Sequence, residues 1–283
     1  MRTKLLISII FAGIINPYLF CQEQIPPKNT KEDIPQLIQD LGDSDIITNY
    51  YAGRKIKKIG KDAVPYLIKA LDSPKGKIRI ASIFLLEQIK DPRAIPEFIR
   101  IFKDKSREEK ERAASALALG RIDAKESSTF LIDGLSEDSD TIKSACAMSL
   151  GMLKEEKAVP RLIELTKDKE KEIGKISLRS LKQIGDRGIP EIEKLLKEGS
   201  MEEKFLSLEI LGEIKSEKSI DILRKALKDE NKYIAICSAY ILSVIGNNEG
   251  NEIAKKLVKD TDPKIKVLAV KTLENITNNG GTK

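Results

Sequence analysis

The sequence predicts an all-α protein, an α-α superhelix of about eight two-helix repeats, and three observations predict it. The last apolar residue of each second helix recurs as Ile59, Ile89, Ile122, Leu153, Ile184, Ile214, Ile245 and Ile276, at intervals of 30 to 33 residues. Three residues before each stands Ile56, Leu86, Leu119, Leu150, Leu181, Leu211, Leu242 or Leu273. Four residues earlier again comes a small residue: Ala52, Ser82, Ser115, Cys146, Ser177, Ser207, Ser238, Ala269. Offsets of three and four put these positions on one helix face, and the small one lets a neighbouring helix come close.

Read in order, the chain begins with a segment outside the repeat. A short positive stretch, "MRTK", precedes an apolar run, "LLISIIFAGII", from Leu5 to Ile15; Asn16 and Pro17 break it, and "QEQ" follows Cys21. This layout predicts a secretory signal peptide over residues 1–21, because the run is too short to span a bilayer comfortably. Cleavage after Cys21 sets Leu19 and Cys21 at the recognition positions, which normally hold small residues. A lipoprotein is the alternative, with Cys21 as its lipidated first residue, although Phe20 is bulky for such a signal. The third reading is an uncleaved anchor. The expected location is exported, periplasmic or secreted, with membrane attachment only in the second and third cases. Residues 22–30, "QEQIPPKNT", read as a stiff polar linker, and residues 31–283 as the repeat solenoid.

Within each repeat a first helix opens on Pro in five copies: Pro35, Pro65, Pro96, Pro160 and Pro190. Proline suits the first turn, where its missing N–H has no helical acceptor. The helix closes near an acid: Asp40, Asp72, Asp104, Glu137, Asp168, Glu198, Asp229 or Asp260. That acid or its neighbours are expected to cap the second helix. Gly60, Gly185 and Gly246 end second helices, where a left-handed residue is wanted.

Units such as "DAVPYLIKALDSPKGKIRIASIFLLEQIKD" and "KAVPRLIELTKDKEKEIGKISLRSLKQIGD" resemble HEAT-type repeats, especially the short class named after phycobilisome lyases. The resemblance runs from Lys31 to Thr277 and implies a HEAT/ARM-like solenoid used mainly as a binding scaffold. The family usually carries Arg three residues before the small position. Arg79, Arg112, Lys143, Lys204 and Lys266 keep a base there, whereas Asn49, Gly174 and Ala235 depart from it.

Composition removes several chemistries. Apolar residues are 41% and charged residues 33% of the chain, as in a heavily charged helical protein rather than a disordered one. The 50 basic and 44 acidic residues are mixed throughout, without the basic stripe that nucleic-acid binding needs. There is no His. The deoxyhypusine hydroxylases, which the repeat also resembles, hold iron with His–Glu pairs, so their centre is not expected here. Zinc-protease motifs and Ser-His or Cys-His triads fall with it. Phycobilin lyases act on intracellular pigment proteins, which an export signal disfavours, and HEAT-like DNA glycosylases must meet DNA. No Gly-rich phosphate loop is present. The acidic stretch "DGLSEDSD", Asp133 to Asp140, lacks EF-hand spacing and reads as a capping loop. Cys146 and Cys237 lie three repeats apart, beyond disulfide reach, and are expected to be core thiols. No catalytic residue, metal or cofactor is expected.

Two residues after each small position comes a place expected to face outward: Arg54, Phe84, Leu117, Met148, Arg179, Glu209, Tyr240 and Lys271. Its middle members are apolar. With neighbours they form one group of Ile80, Phe84, Leu117, Met148 and Met152, and a second of Tyr233, Ile236, Tyr240 and Val244. Second helices line the inner surface of a HEAT-like solenoid, so the groups form either an exposed partner-binding strip or a seam buried by curvature. The expected function is an exported, non-enzymatic scaffold that binds another protein and no nucleic acid. The alternatives are an enzyme subunit or accessory factor of the lyase- and hydroxylase-related class, and a structural spacer in the envelope.

Overall fold

The computed structural model describes residues 33–167 and 171–280. The signal-peptide reading of residues 1–21, Cys21 with it, and the linker 22–30 lie outside them. Among the described residues there are sixteen α-helices and no strand. They form eight consecutive hairpins. Helix α1 (Ile34–Asp40) packs on α2 (Ile46–Ile59), α3 (Val64–Ala70) on α4 (Gly76–Ile89), α5 (Ile95–Lys103) on α6 (Glu109–Arg121) and α7 (Ser128–Gly134) on α8 (Asp140–Leu153). The series continues with α9 (Val159–Leu165) on α10 (Glu172–Ile184), α11 (Ile189–Glu198) on α12 (Met201–Ile214), α13 (Glu217–Ala226) on α14 (Lys232–Val244) and α15 (Asn251–Leu257) on α16 (Pro263–Gly280).

The predicted register holds most sharply at the small position and the apolar one four places on, while the last apolar residue is half-buried except at Leu153 and Ile184. All eight small residues are buried, none more than 2% exposed, and the apolar residue four places on is at most 1% exposed from Ile56 to Leu242. Pro occupies the first turn of α1, α3, α5, α9 and α11, where no N–H is lost from the helix ladder. The residue four places after Ile56, Leu86, Leu119, Leu150, Leu181, Leu211 and Leu242 always has positive φ. Glycine meets this demand at Gly60, Gly185 and Gly246; Lys90, Asp123, Lys154 and Lys215 meet it without glycine's freedom. One core runs along the stack between the two helix layers.

Three of the acids at the ends of first helices serve neighbouring repeats, whereas Asp40, Asp104 and Asp229 bond within their own. Asp72 accepts from Arg100 and Arg107, Glu137 from Arg112, and Asp260 from Lys232 at 2.8 Å. The caps come instead from nearby residues: Asp45, Ser139, Asn231, and Ser200 in a capping box with Glu203. In the base position, Arg79 and Arg112 each donate to a carbonyl at the end of their own first helix or turn, Ser73 and Phe102, both at 2.9 Å. Asn49, a departure from the family pattern, donates to the Leu41 carbonyl and does the same work.

Second helices pack on one another more closely than first helices do, so the stack curves with its second helices inside. One position contributes to that closeness. It directly follows the Leu119 position, and it is Gly in α6, α8 and α12; Gly120 and Gly151 face backbone, whereas Gly212 faces the Ile241 side chain. A Cβ on Gly120 would lie 2.5 Å from Ser149 Cα, and one on Gly151 would lie 2.9 Å from Ser180 Cα. The α6–α8 and α8–α10 seams are the tightest in the stack. In α2 and α10 the position holds Lys57 and Lys182, both exposed, and the α2–α4 and α10–α12 helices stand further apart.

Candidate protein-binding face

The inner face presents the position two residues after each small one, and none of its eight occupants is buried. Phe84 is 43% exposed, while Leu117, Met148 and Tyr240 are half-buried. One turn further on, Met152 is half-buried and Val244 is 58% exposed. Ile80 and Tyr233 are also half-buried. Ile236 does not belong to this surface: it is 0% exposed and lies in the core cluster. The same slot stays open at Tyr50 and half-open at Ile80, so it is local packing into the core cluster that buries Ile236, not its place on the helix. The two apolar groups remain separate, because exposed Arg179 and Glu209 stand between them.

At the start of the stack the inner face opens into a groove of about 970 Å³. Tyr50, Arg54, Lys57 and Lys58 line it from α2, and Ala81, Phe84, Leu85 and Gln88 from α4. The groove follows from the wide seam: Lys57 stands where Gly120 and Gly151 draw later helices together. Tyr50 is 47% exposed, and the Arg54 guanidinium lies over its ring at 5.8 Å. Sequence reading grouped Phe84 with Leu117 and Met148 and treated Arg54 as a plain surface residue. The available signal was the composition of α2, which has four bases and no acid.

The remaining chemistry is structural. Glu137 and Ser139 of the acidic loop are used by Arg112 and by the α8 N-terminus. Among the described residues no group of His, Cys, Asp and Glu could hold a metal ion. Cys146 and Cys237 are free thiols; burial pushes Cys237 up to about 11 and Cys146 higher still, so neither is a nucleophile near neutral pH. No helix among the described residues is long and apolar enough to cross a membrane.

The family model described as HEAT repeats matches residues 34–120, 104–182 and 128–203, more than half of the chain. No curated protein matches. Human deoxyhypusine hydroxylase in complex with glycerol is similar in structure at 19% identity, over 88% of this chain and 97% of its own, with a TM-score of 0.41. The complex of CpcE and CpcF of phycocyanin lyase from Nostoc is similar at 19% identity, over 77% and 92%, with a TM-score of 0.42. Importin beta is similar at 14% identity, over 89% of this chain and 39% of its own, with a TM-score of 0.49. At these identities the likeness concerns the fold alone.

Proposed function

The chain belongs to the HEAT-repeat family, and from that premise we propose that it is an exported, non-enzymatic scaffold whose inner face binds another protein. The observation that carries this reading is the apolar content of positions that face outward in every repeat. Phe84, Leu117, Met148 and Tyr240 stay wholly or partly exposed, although equivalent positions hold Arg54, Arg179 and Lys271. Apolar area left at a curved face by the protein's own packing is gained back when a partner covers it. Methionines adapt to irregular partner surfaces better than branched side chains do.

Export rests on the N-terminal sequence, and the non-enzymatic reading on the lack of His and on the raised, buried thiols of Cys146 and Cys237 among the described residues. The deciding experiment is crosslinking and pull-down from the native envelope fraction. A specific partner crosslinked along α4, α6 and α8 supports the proposal. Recovery of no partner leaves a structural spacer, and stoichiometric iron or zinc in the purified protein favours an enzyme.

A further inference from the structure

The groove between α2 and α4 carries a positive charge for which the described residues provide no ion pair. Arg54, Lys55, Lys57 and Lys58 form no ion pair with any described residue, and α2 contains no acid. Further along the stack three second-helix arginines are held: Arg79 by Glu111 at 2.7 Å, Arg112 by Glu137 at 2.6 Å and Arg121 by Glu87 at 2.9 Å. The α2 cations repel one another, and an anionic ligand relieves that repulsion.

The shape narrows the class of ligand. The charge lines a concavity, which a chain can enter and a flat bilayer meets only at its rim. Helix α2 has 14 residues and is about 21 Å long, close to the roughly 20 Å of a six-residue extended strand. The walls are mixed: half-exposed Tyr50 and Phe84, with Ala81 and Leu85 alongside, offer an apolar seat beside the cations. A purely ionic ligand would leave that seat empty.

We propose that the α2–α4 groove binds an extended acidic segment of the partner protein. Its carboxylates meet Arg54, Lys57 and Lys58, and one of its apolar or aromatic side chains packs against Tyr50 and Phe84. The proposal rests on the reading of the inner face as protein-binding and names the chemistry of the segment that enters it.

The protein has no Trp, so a tryptophan placed in a probe peptide reports on its own surroundings. The probe is a twelve-residue peptide of Asp and Glu with one central Trp, titrated into the full chain. Saturable binding with a blue-shifted emission is expected, weakening as salt rises. The double variant Arg54→Glu, Lys58→Glu should weaken it by about ten-fold or more, since two favourable charges become repulsive. Phe84→Glu should abolish the blue shift, and Lys271→Glu at the far end should change nothing. Absence of binding, equal binding by the double variant, or equal binding of a Lys-for-Glu peptide overturns the proposal. So does capture by vesicles of anionic phospholipid that the double variant loses while the peptide still binds, which would make the cations a membrane patch. Crosslinking that finds a partner at Leu117 and Met148, insensitive to the double variant, overturns the groove alone and leaves the wider reading intact.

Discussion

Ser149 donates its hydroxyl to the Ala116 carbonyl at 2.7 Å, from one second helix to the one before it. The bond forms where Gly120 faces the Ser149 backbone, so a single hydroxyl and a missing Cβ together close the α6–α8 seam. A backbone approach of this kind has no room for a side chain, and the nearest atom, Ser149 Cα, is main chain that cannot rotate away.

Gly120→Val is therefore expected to destabilise the protein by about 1–3 kcal/mol or more through overpacking. Ser149→Ala should cost about 1 kcal/mol, the worth of one buried hydrogen bond. Urea melts of both variants check the order. A Gly120→Val protein as stable as the parent would show that the seam is not closed in solution.

Lys90, Lys154 and Lys215 hold left-handed backbone at the ends of α4, α8 and α12. A side chain there is strained by about 1 kcal/mol relative to glycine. Replacing each by Gly should raise stability by about 0.5–1 kcal/mol, despite the greater freedom glycine has when unfolded. The three sites lie in separate repeats, so a triple variant should show nearly the sum. Thermal melts measure it.

Phe84→Glu and Ile236→Glu should part company. The first changes an exposed side chain and should stay within about 0.5 kcal/mol of the parent, whereas the second buries an unpaired charge and costs several. Leu117→Glu and Met148→Glu, from half-buried positions, should fall between. Partner binding should be lost in the Phe84 variant while its melt is unchanged. Arg54→Glu and Lys271→Glu are the controls and should leave the fold alone.

Acid should act partly through Asp91. Hydrogen bonds from the Arg93 guanidinium hold this buried carboxyl down to about 2, and the Arg93 backbone N–H helps. Because its folded value is depressed, its contribution is present in full above about pH 4, the ordinary carboxylate range, and is lost as pH falls toward 2. Asp91→Asn should flatten that limb: between pH 2.5 and 5 its melting temperature should change less than the parent's.

Much of this architecture can be read from the sequence because the repeat states one rule eight times. Ala52, Ser82 and Cys146 differ in chemistry but agree in size, and size is what packing at that position selects. Pro35 and Gly60 mark opposite ends of a hairpin for local reasons that need no tertiary knowledge. The seams were less legible. Gly120 and Gly151 look like ordinary small residues, and only the Ser149 and Ser180 backbone that faces them shows that they let the helices close. Ile236 was misread for a related reason. Its helix is apolar on nearly every side, so periodicity alone could not separate the core flank from the exposed stripe. The groove escaped because it belongs to no single helix: Tyr50 and Arg54 become wall residues only when α4 stands off from α2.

Uneven seams also make the stack an uneven spring. Backbone-to-backbone contact from α6 through α10 leaves no slack for neighbouring hairpins to rock, so that stretch behaves as a stiff rod. At Lys182 the facing helices meet through a long side chain, its ammonium 3.0 Å from Glu213, and at Lys57 the side chain stands exposed. Tension or torque applied along the solenoid is expected to be taken up first at those two joints, widening or narrowing the α2–α4 groove while the middle of the inner face keeps its shape.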